Sequence, residues 1–86
     1  LQTIKNNDTE TTLKLFDSFE NYTQLQEKDP ETGWTCLHFA SFNKNLEVVR
    51  RLLHHGVNPN AQTYTKVTAL MIAAEAGSVL ICKALL

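Results

Sequence analysis

The chain has 86 residues, with 8 Lys and Arg against 9 Asp and Glu, for a formal net charge of -1. Hydrophobic residues make up 43% and charged residues 20%, the balance of an ordinary globular chain and not of a disordered one. The near-neutral charge argues against a phosphate-coating nucleic-acid binder, and the short length gives a core that is marginal alone unless its packing is regular or flanking chain supports it.

Taken from the start, residues 1–29 carry the weakest pattern. A helix is expected from roughly Thr9 to Phe19, under two alignments that disagree about its phase. One sets Leu13, Phe16 and Phe19 against Leu46, Val49 and Leu52 at an offset of 33 residues. The other reads Asn6-Asn7-Asp8 as a turn and leaves a longer linker from Asn21 to Thr32. The second is favoured, because those three residues are poor in helices and good in turns.

The pattern then sharpens. Thr35-Cys36-Leu37-His38-Phe39-Ala40 recurs as Thr68-Ala69-Leu70-Met71-Ile72-Ala73, 33 residues later. At the same offset, Asn45-Leu46-Glu47-Val48-Val49-Arg50-Arg51-Leu52-Leu53 recurs as Ser78-Val79-Leu80-Ile81-Cys82-Lys83-Ala84-Leu85-Leu86. Two blocks agreeing on one period mark a repeat architecture. Each unit holds two helical patterns. Leu37 and Ala40 space the first helix, as do Leu70, Ala73 and Ala74 in the next unit. Leu46, Val49 and Leu53 form the expected stripe of the second helix, with Val48 and Leu52 beside it, and Val79, Cys82 and Leu86 repeat that stripe.

Punctuation agrees with this division. Thr35 and Thr68 suit the N-caps of the first helices, and Asn45 and Ser78 those of the second. Gly77 suits a left-handed turn between helices, where Lys44 takes the equivalent place and should be strained. Gly56 ends a second helix after His54 and His55, and Asn58-Pro59-Asn60 marks a turn. A helix pair this short cannot bury its own stripe, so stacking on the next pair must build the core. The small residues Ala40, Ser41, Ala73 and Ala74 allow close approach.

These residues resemble the ankyrin repeat family. Gly33-Trp34-Thr35-Cys36-Leu37-His38-Phe39-Ala40-Ser41 is similar to its G-x-T-P-L-H-x-A-A segment. Leu46 to Ala61 is similar to its L-E-V-V-K-x-L-L-x-x-G-A-D-V-N-A segment, and the unit from Thr63 to Leu86 follows the same plan. Cys36 and Ala69 replace the family's proline, Lys66 replaces a glycine, and Val57-Asn58-Pro59 replaces Ala-Asp-Val. The resemblance implies an all-α ankyrin-type solenoid of stacked helix-turn-helix pairs with hairpin loops. Its expected division is a degenerate repeat over 1–29, a full repeat over 30–62 and a truncated repeat over 63–86. Flanking repeats are expected, since the chain opens on Leu1 and closes on Leu85-Leu86, leaving the stripe of Val79, Cys82 and Leu86 uncovered.

Candidate chemistry is sparse. Cys36 and Cys82 make neither a disulfide framework nor a ligand cluster and read as reduced thiols of an intracellular protein, cytoplasmic or nuclear. Cys36 and His38 lie two positions apart, so a helix points them about 200° away from each other, unsuited to a nucleophile and its base. Adjacent His54 and His55 diverge and suit the C-terminal end of a helix better than a zinc site. Gly33, Gly56 and Gly77 are too far apart for a phosphate cradle. Arg50, Arg51, His54, His55 and Lys83 read as a solvated outer face. The stretch from Val67 to Leu86 is apolar but carries Glu75, Gly77, Ser78 and Lys83, unlike a membrane span. No enzyme activity, cofactor, metal, nucleic acid or membrane span is therefore expected.

The resemblance implies protein–protein recognition, as a scaffold or adaptor segment, through hairpin tips and the concave face of the first helices. The residues carried onto that surface are Glu31, Thr32, Trp34, Phe42 and Asn43 in one unit, and Tyr64, Thr65, Val67 and Glu75 in the next. Aromatic anchors with polar neighbours are what binding hot spots use. The acidic members suit a basic or amide-bearing partner segment. Asn60 is a candidate for asparaginyl hydroxylation by the same resemblance. The alternative role is a regulatory domain of a larger intracellular enzyme or channel.

Overall fold

The computed structural model describes residue 10 and residues 28–86. The two readings of the first 29 residues lie outside the described residues, apart from Glu10, which is helical and exposed, and Lys28 and Asp29. Four helices follow: α1 (Cys36–Phe42), α2 (Leu46–His54), α3 (Ala69–Ala76) and α4 (Val79–Leu85). Among the described residues there is no strand. Helix α1 packs on α2 and α3, and α4 packs on α3 and α2. The first helices thus form one layer and the second helices another.

At 7 to 9 residues, each helix is too short to persist alone. Capping and packing must supply what length does not. Thr35, Asn45, Thr68 and Ser78 occupy the four N-caps, as the sequence predicts. Asn45 Oδ1 accepts from Val48 N at 3.3 Å, and Thr68 Oγ1 accepts from Met71 N at 3.3 Å. Ser78 differs: its hydroxyl is buried with no hydrogen-bond partner. Ser41 Oγ is orphaned in the same way, where the next unit carries Ala74.

The core runs through both layers: Leu37 and Ala40 of α1, Val48, Val49 and Leu52 of α2, Ala69 and Ala73 of α3, and Ile81 of α4. The stripe read from spacing needs correction. Val48, Val49 and Leu52 are the deeply buried residues of α2, while Leu46 and Leu53 pack at its margin. In α4 the buried residue is Ile81, and Val79 and Leu86 are exposed. The reason is that α2 is gripped from two sides, by α1 and by α4, so its buried arc turns toward the rows between them.

Burial also changes along the stack. His38 is 0% exposed, whereas Met71 at the equivalent position is 55% exposed. Helix α1 is covered by α3, and among the described residues nothing covers the far side of α3.

Two turns carry measurable strain. Among the described residues, the non-glycine ones with positive φ are Lys44 (57°) and Lys66 (64°), each 33 positions from a glycine with positive φ: Gly77 (74°) and Gly33 (77°). The expected strain at Lys44 is therefore present, and Lys66 shares it. A side chain in this region costs about 1–2 kcal/mol. Lys44→Gly and Lys66→Gly should each raise the unfolding free energy by about 0.5–1 kcal/mol after glycine's entropy cost is deducted. Urea titration of each variant measures this; a loss of stability in both would contradict it.

Candidate partner-binding groove

Two hairpins stand off the helix layers. In the first, Asp29 N donates to Trp34 O at 2.8 Å and Gly33 N to Asp29 O at 2.7 Å. Asp29 Oδ1 accepts from Glu31 N at 2.9 Å, and Thr32 Oγ1 from Trp34 N at 3.2 Å, so short polar side chains shape the tip. In the second, Thr63 N donates to Val67 O and Lys66 N to Thr63 O, both at 2.9 Å. Thr63 Oγ1 accepts from Val67 N at 3.1 Å. The hairpins are joined by Tyr64 N donating to Thr32 O at 3.2 Å, and by Lys28 Nζ donating to Gln62 O at 3.1 Å.

His38 locks the hairpins to the helices. Its Nδ1 accepts from Thr35 N at 3.0 Å and lies 2.8 Å from Thr35 Oγ1, and its Nε2 lies 2.8 Å from Val67 O. Accepting at Nδ1 places the proton on Nε2, which donates to the Val67 carbonyl. One side chain thus caps its own helix and binds the next unit.

Burial lowers the His38 pKa below 6.5, and the nearby Lys28 charge adds to this, against the opposing bonds to Val67 and Ala61 backbone. A depressed folded pKa means that the unfolded chain takes up the proton first. Stability from the neutral ring is complete above the unfolded value, near pH 6.5, and is lost as pH falls from there toward the folded value. The slope attributable to this group should not exceed about 1.4 kcal/mol per pH unit. Denaturant titrations across that window should show the decline in the parent chain and a flatter line in His38→Gln; identical slopes would remove His38 as the cause.

Trp34, at the base of the first hairpin, is half-buried. Its ring lies 5.1 Å from Phe39, 5.7 Å from Phe42 in an edge contact at 70°, and 6.0 Å from His38. These contacts raise Phe42 on the surface at 60% exposure. Two cavities flank the Trp34–Phe42 ridge. One of about 400 Å³ is lined by Asp29, Glu31, Thr32, Trp34, Phe39, Phe42 and Asn43. The other, of about 360 Å³, is lined by Trp34, Phe42, Val67, Ile72, Glu75 and Ala76. Trp34 and Phe42 border both, so the two form one groove.

This groove gathers seven of the nine residues read from the sequence. Glu31, Thr32, Trp34, Phe42 and Asn43 lie in the first cavity, and Val67 and Glu75 join in the second. Tyr64 is not in it: though 61% exposed, it lines a separate cavity of about 530 Å³ with Lys28, Asn60 and Lys66. Thr65 is exposed and lines none of these three cavities. Asn60 is exposed, in a turn braced by its N–H donating to Asn58 Oδ1 at 2.9 Å. Asp29, Phe39 and Ile72 were not predicted. Phe39 had a legible signal, since it precedes Phe42 by three positions and shares its helix face.

Cys36 and His38 are both buried, and among the described residues no group of three or more His, Cys, Asp or Glu could hold a metal ion. Among the same residues, no helix is long and apolar enough to cross a membrane.

Comparisons with known proteins agree with the fold. The chain matches the family described as ankyrin repeats, in three copies, over residues 1–86. It is 42% identical over 45 residues to human ankyrin repeat and SOCS box protein 3, covering 52% of this chain and 9% of that protein. It is 32% identical over 79 residues to human 2-5A-dependent ribonuclease, covering 92% of this chain and 10% of that protein. Among solved structures, the ankyrin repeat domain of Bcl-3, a member of the IkappaB protein family, superposes with a TM-score of 0.78 at 29% identity, over 95% of this chain and 35% of that one. The chain thus spans about a tenth or less of the length of the curated relatives it matches.

Proposed function

The chain belongs to the ankyrin repeat family, and on that footing we propose that it recognises a partner protein through the groove around Trp34 and Phe42. Ankyrin repeats are generally protein–protein interaction modules of a non-catalytic fold. The observation that carries the site is the pairing of a half-buried Trp34 with an exposed Phe42. One ring anchors in the fold while the other remains available, bordered by Glu31, Thr32, Asn43 and Glu75. Rigid aromatic anchors within a polar rim are the arrangement of binding hot spots. The degenerate, full and truncated units over 1–29, 30–62 and 63–86 would form one continuous platform, with the groove where the second meets the third.

The test is recovery of partners from cell extract by the parent chain and by Phe42→Ala. Phe42 is the better probe, because Trp34 makes three ring contacts and its removal would also unsettle the fold. A partner held by the parent and lost from Phe42→Ala, at unchanged helix content, supports the groove. Equal recovery by both would rule it out.

A second reading concerns context. One matched relative is a ribonuclease of which this chain aligns with a tenth, which favours a regulatory segment attached to an enzyme. The same groove would then meet another part of its own protein. Cross-links from the groove to that protein's other segments, and to no separate protein, would distinguish this case.

A further inference from the structure

The groove's charge is one-sided. Among the described residues its ionisable side chains are Asp29, Glu31 and Glu75, and no described lysine, arginine or histidine lines either cavity. The described cations are placed elsewhere: Arg50 and Arg51 on α2, Lys83 on α4, Lys28 and Lys66 on the separate cavity, and Lys44 in the turn after Asn43, where it lines neither cavity. Glu31 and Glu75 are exposed at the groove, with no cation paired to them among the described residues. The rings also limit what can bind. Centroid separations of 5.1 and 5.7 Å put Trp34, Phe39 and Phe42 in mutual contact, so nothing fits between them. What they offer is an outer face, that of Phe42 above all.

A bare aromatic face beside uncompensated carboxylates is complementary to a guanidinium. That group is planar, stacks on rings, is weakly hydrated and pairs with carboxylates through a fork of donors. An ammonium is a compact, strongly hydrated charge that forgoes the stacking. Resting on the recognition reading above, we propose that the groove docks an arginine-bearing segment of a partner protein. The guanidinium lies on the Phe42–Trp34 ridge and pairs with the carboxylates of Glu31 and Glu75. The charge pattern favours this partner over an acidic or purely apolar one, which would leave those carboxylates uncompensated.

The experiment selects short random peptides displayed on phage against the chain. The best binder is then synthesised with arginine, lysine or citrulline at the enriched position. Affinity is read by fluorescence anisotropy on the parent, on Glu31→Gln/Glu75→Gln and on Phe42→Ala, each verified as folded by circular dichroism. Arginine should be enriched. Citrulline should weaken binding by about tenfold or more, lysine should fall between, and both variants should lose roughly tenfold. Binders without arginine that are lost on Phe42→Ala would overturn the arginine proposal and leave the groove standing. Arginine binders held equally by Glu31→Gln/Glu75→Gln would overturn it too. Binders insensitive to Phe42→Ala, or no binders, would overturn the groove as well.

Discussion

His38→Ala should lower the unfolding free energy by about 3 kcal/mol or more. The ring is fully buried and serves Thr35 N, Thr35 Oγ1 and Val67 O together. Removing it leaves the buried Thr35 N–H without this acceptor, worth about 1–3 kcal/mol, and opens a cavity the size of an imidazole. A chain of this length has a total stability of only about 4–13 kcal/mol, so the substitution should remove between about a quarter and three quarters of it. The second hairpin should loosen first, because Val67 loses its tie to α1. Urea unfolding followed by circular dichroism measures the total, and amide exchange at Thr63 and Val67 measures the hairpin. A loss below about 1 kcal/mol would mean that the bond to Val67 is not a real restraint.

Gly33→Val should be nearly as damaging, at about 2–4 kcal/mol, for a different reason. Gly33 sits at φ 77°, and a Cβ there would lie 2.5 Å from Tyr64 Cδ1 and 2.7 Å from Tyr64 N. The exposed tyrosine ring could swing aside. Its backbone nitrogen cannot, because it donates to Thr32 O and so joins the two hairpins. Gly77 provides the control: it has nearly the same φ, 74°, and open space around its would-be Cβ. Gly77→Ala should therefore show the cost of φ alone, and Gly33→Ala that cost plus the clash. Equal losses at the two glycines would remove the close approach from the account.

Most of the fold is legible in the sequence because each repeat feature has a local cause. Asn45 and Thr68 sit where polar side chains accept from a free helix N–H, and Thr35 and Ser78 hold the matching N-cap positions. Lys44 could be recognised as strained because Gly77 occupies the equivalent site, and the structure adds Lys66, which stands where Gly33 does. Less legible is which arc of a helix is buried. Residues spaced by three and four define several neighbouring rows, and only the packing of α4 against α2 selects Val48, Val49 and Leu52. The tie from His38 to Val67 was also hidden, since it joins positions 29 residues apart through a backbone carbonyl.

The groove was legible in its aromatic and acidic members, and Tyr64 shows where counting fails. An offset of 33 equates Tyr64 with Glu31, which lines the groove. The hydrogen bond from Asp29 to Trp34 encloses four residues, however, and that from Thr63 to Val67 only three. The register slips by one across the tip, and Tyr64 lines the other cavity. A one-residue change in a turn alters no hydrophobic period, so the repeat pattern gave no warning of it.

The most direct test of the central claim places a photo-reactive phenylalanine analogue at position 42 of the chain in cells, and separately at position 50 on α2. The groove account predicts covalent adducts with a partner protein from position 42 and none from position 50. Adducts from position 50 alone would contradict it and assign recognition to the outer helices.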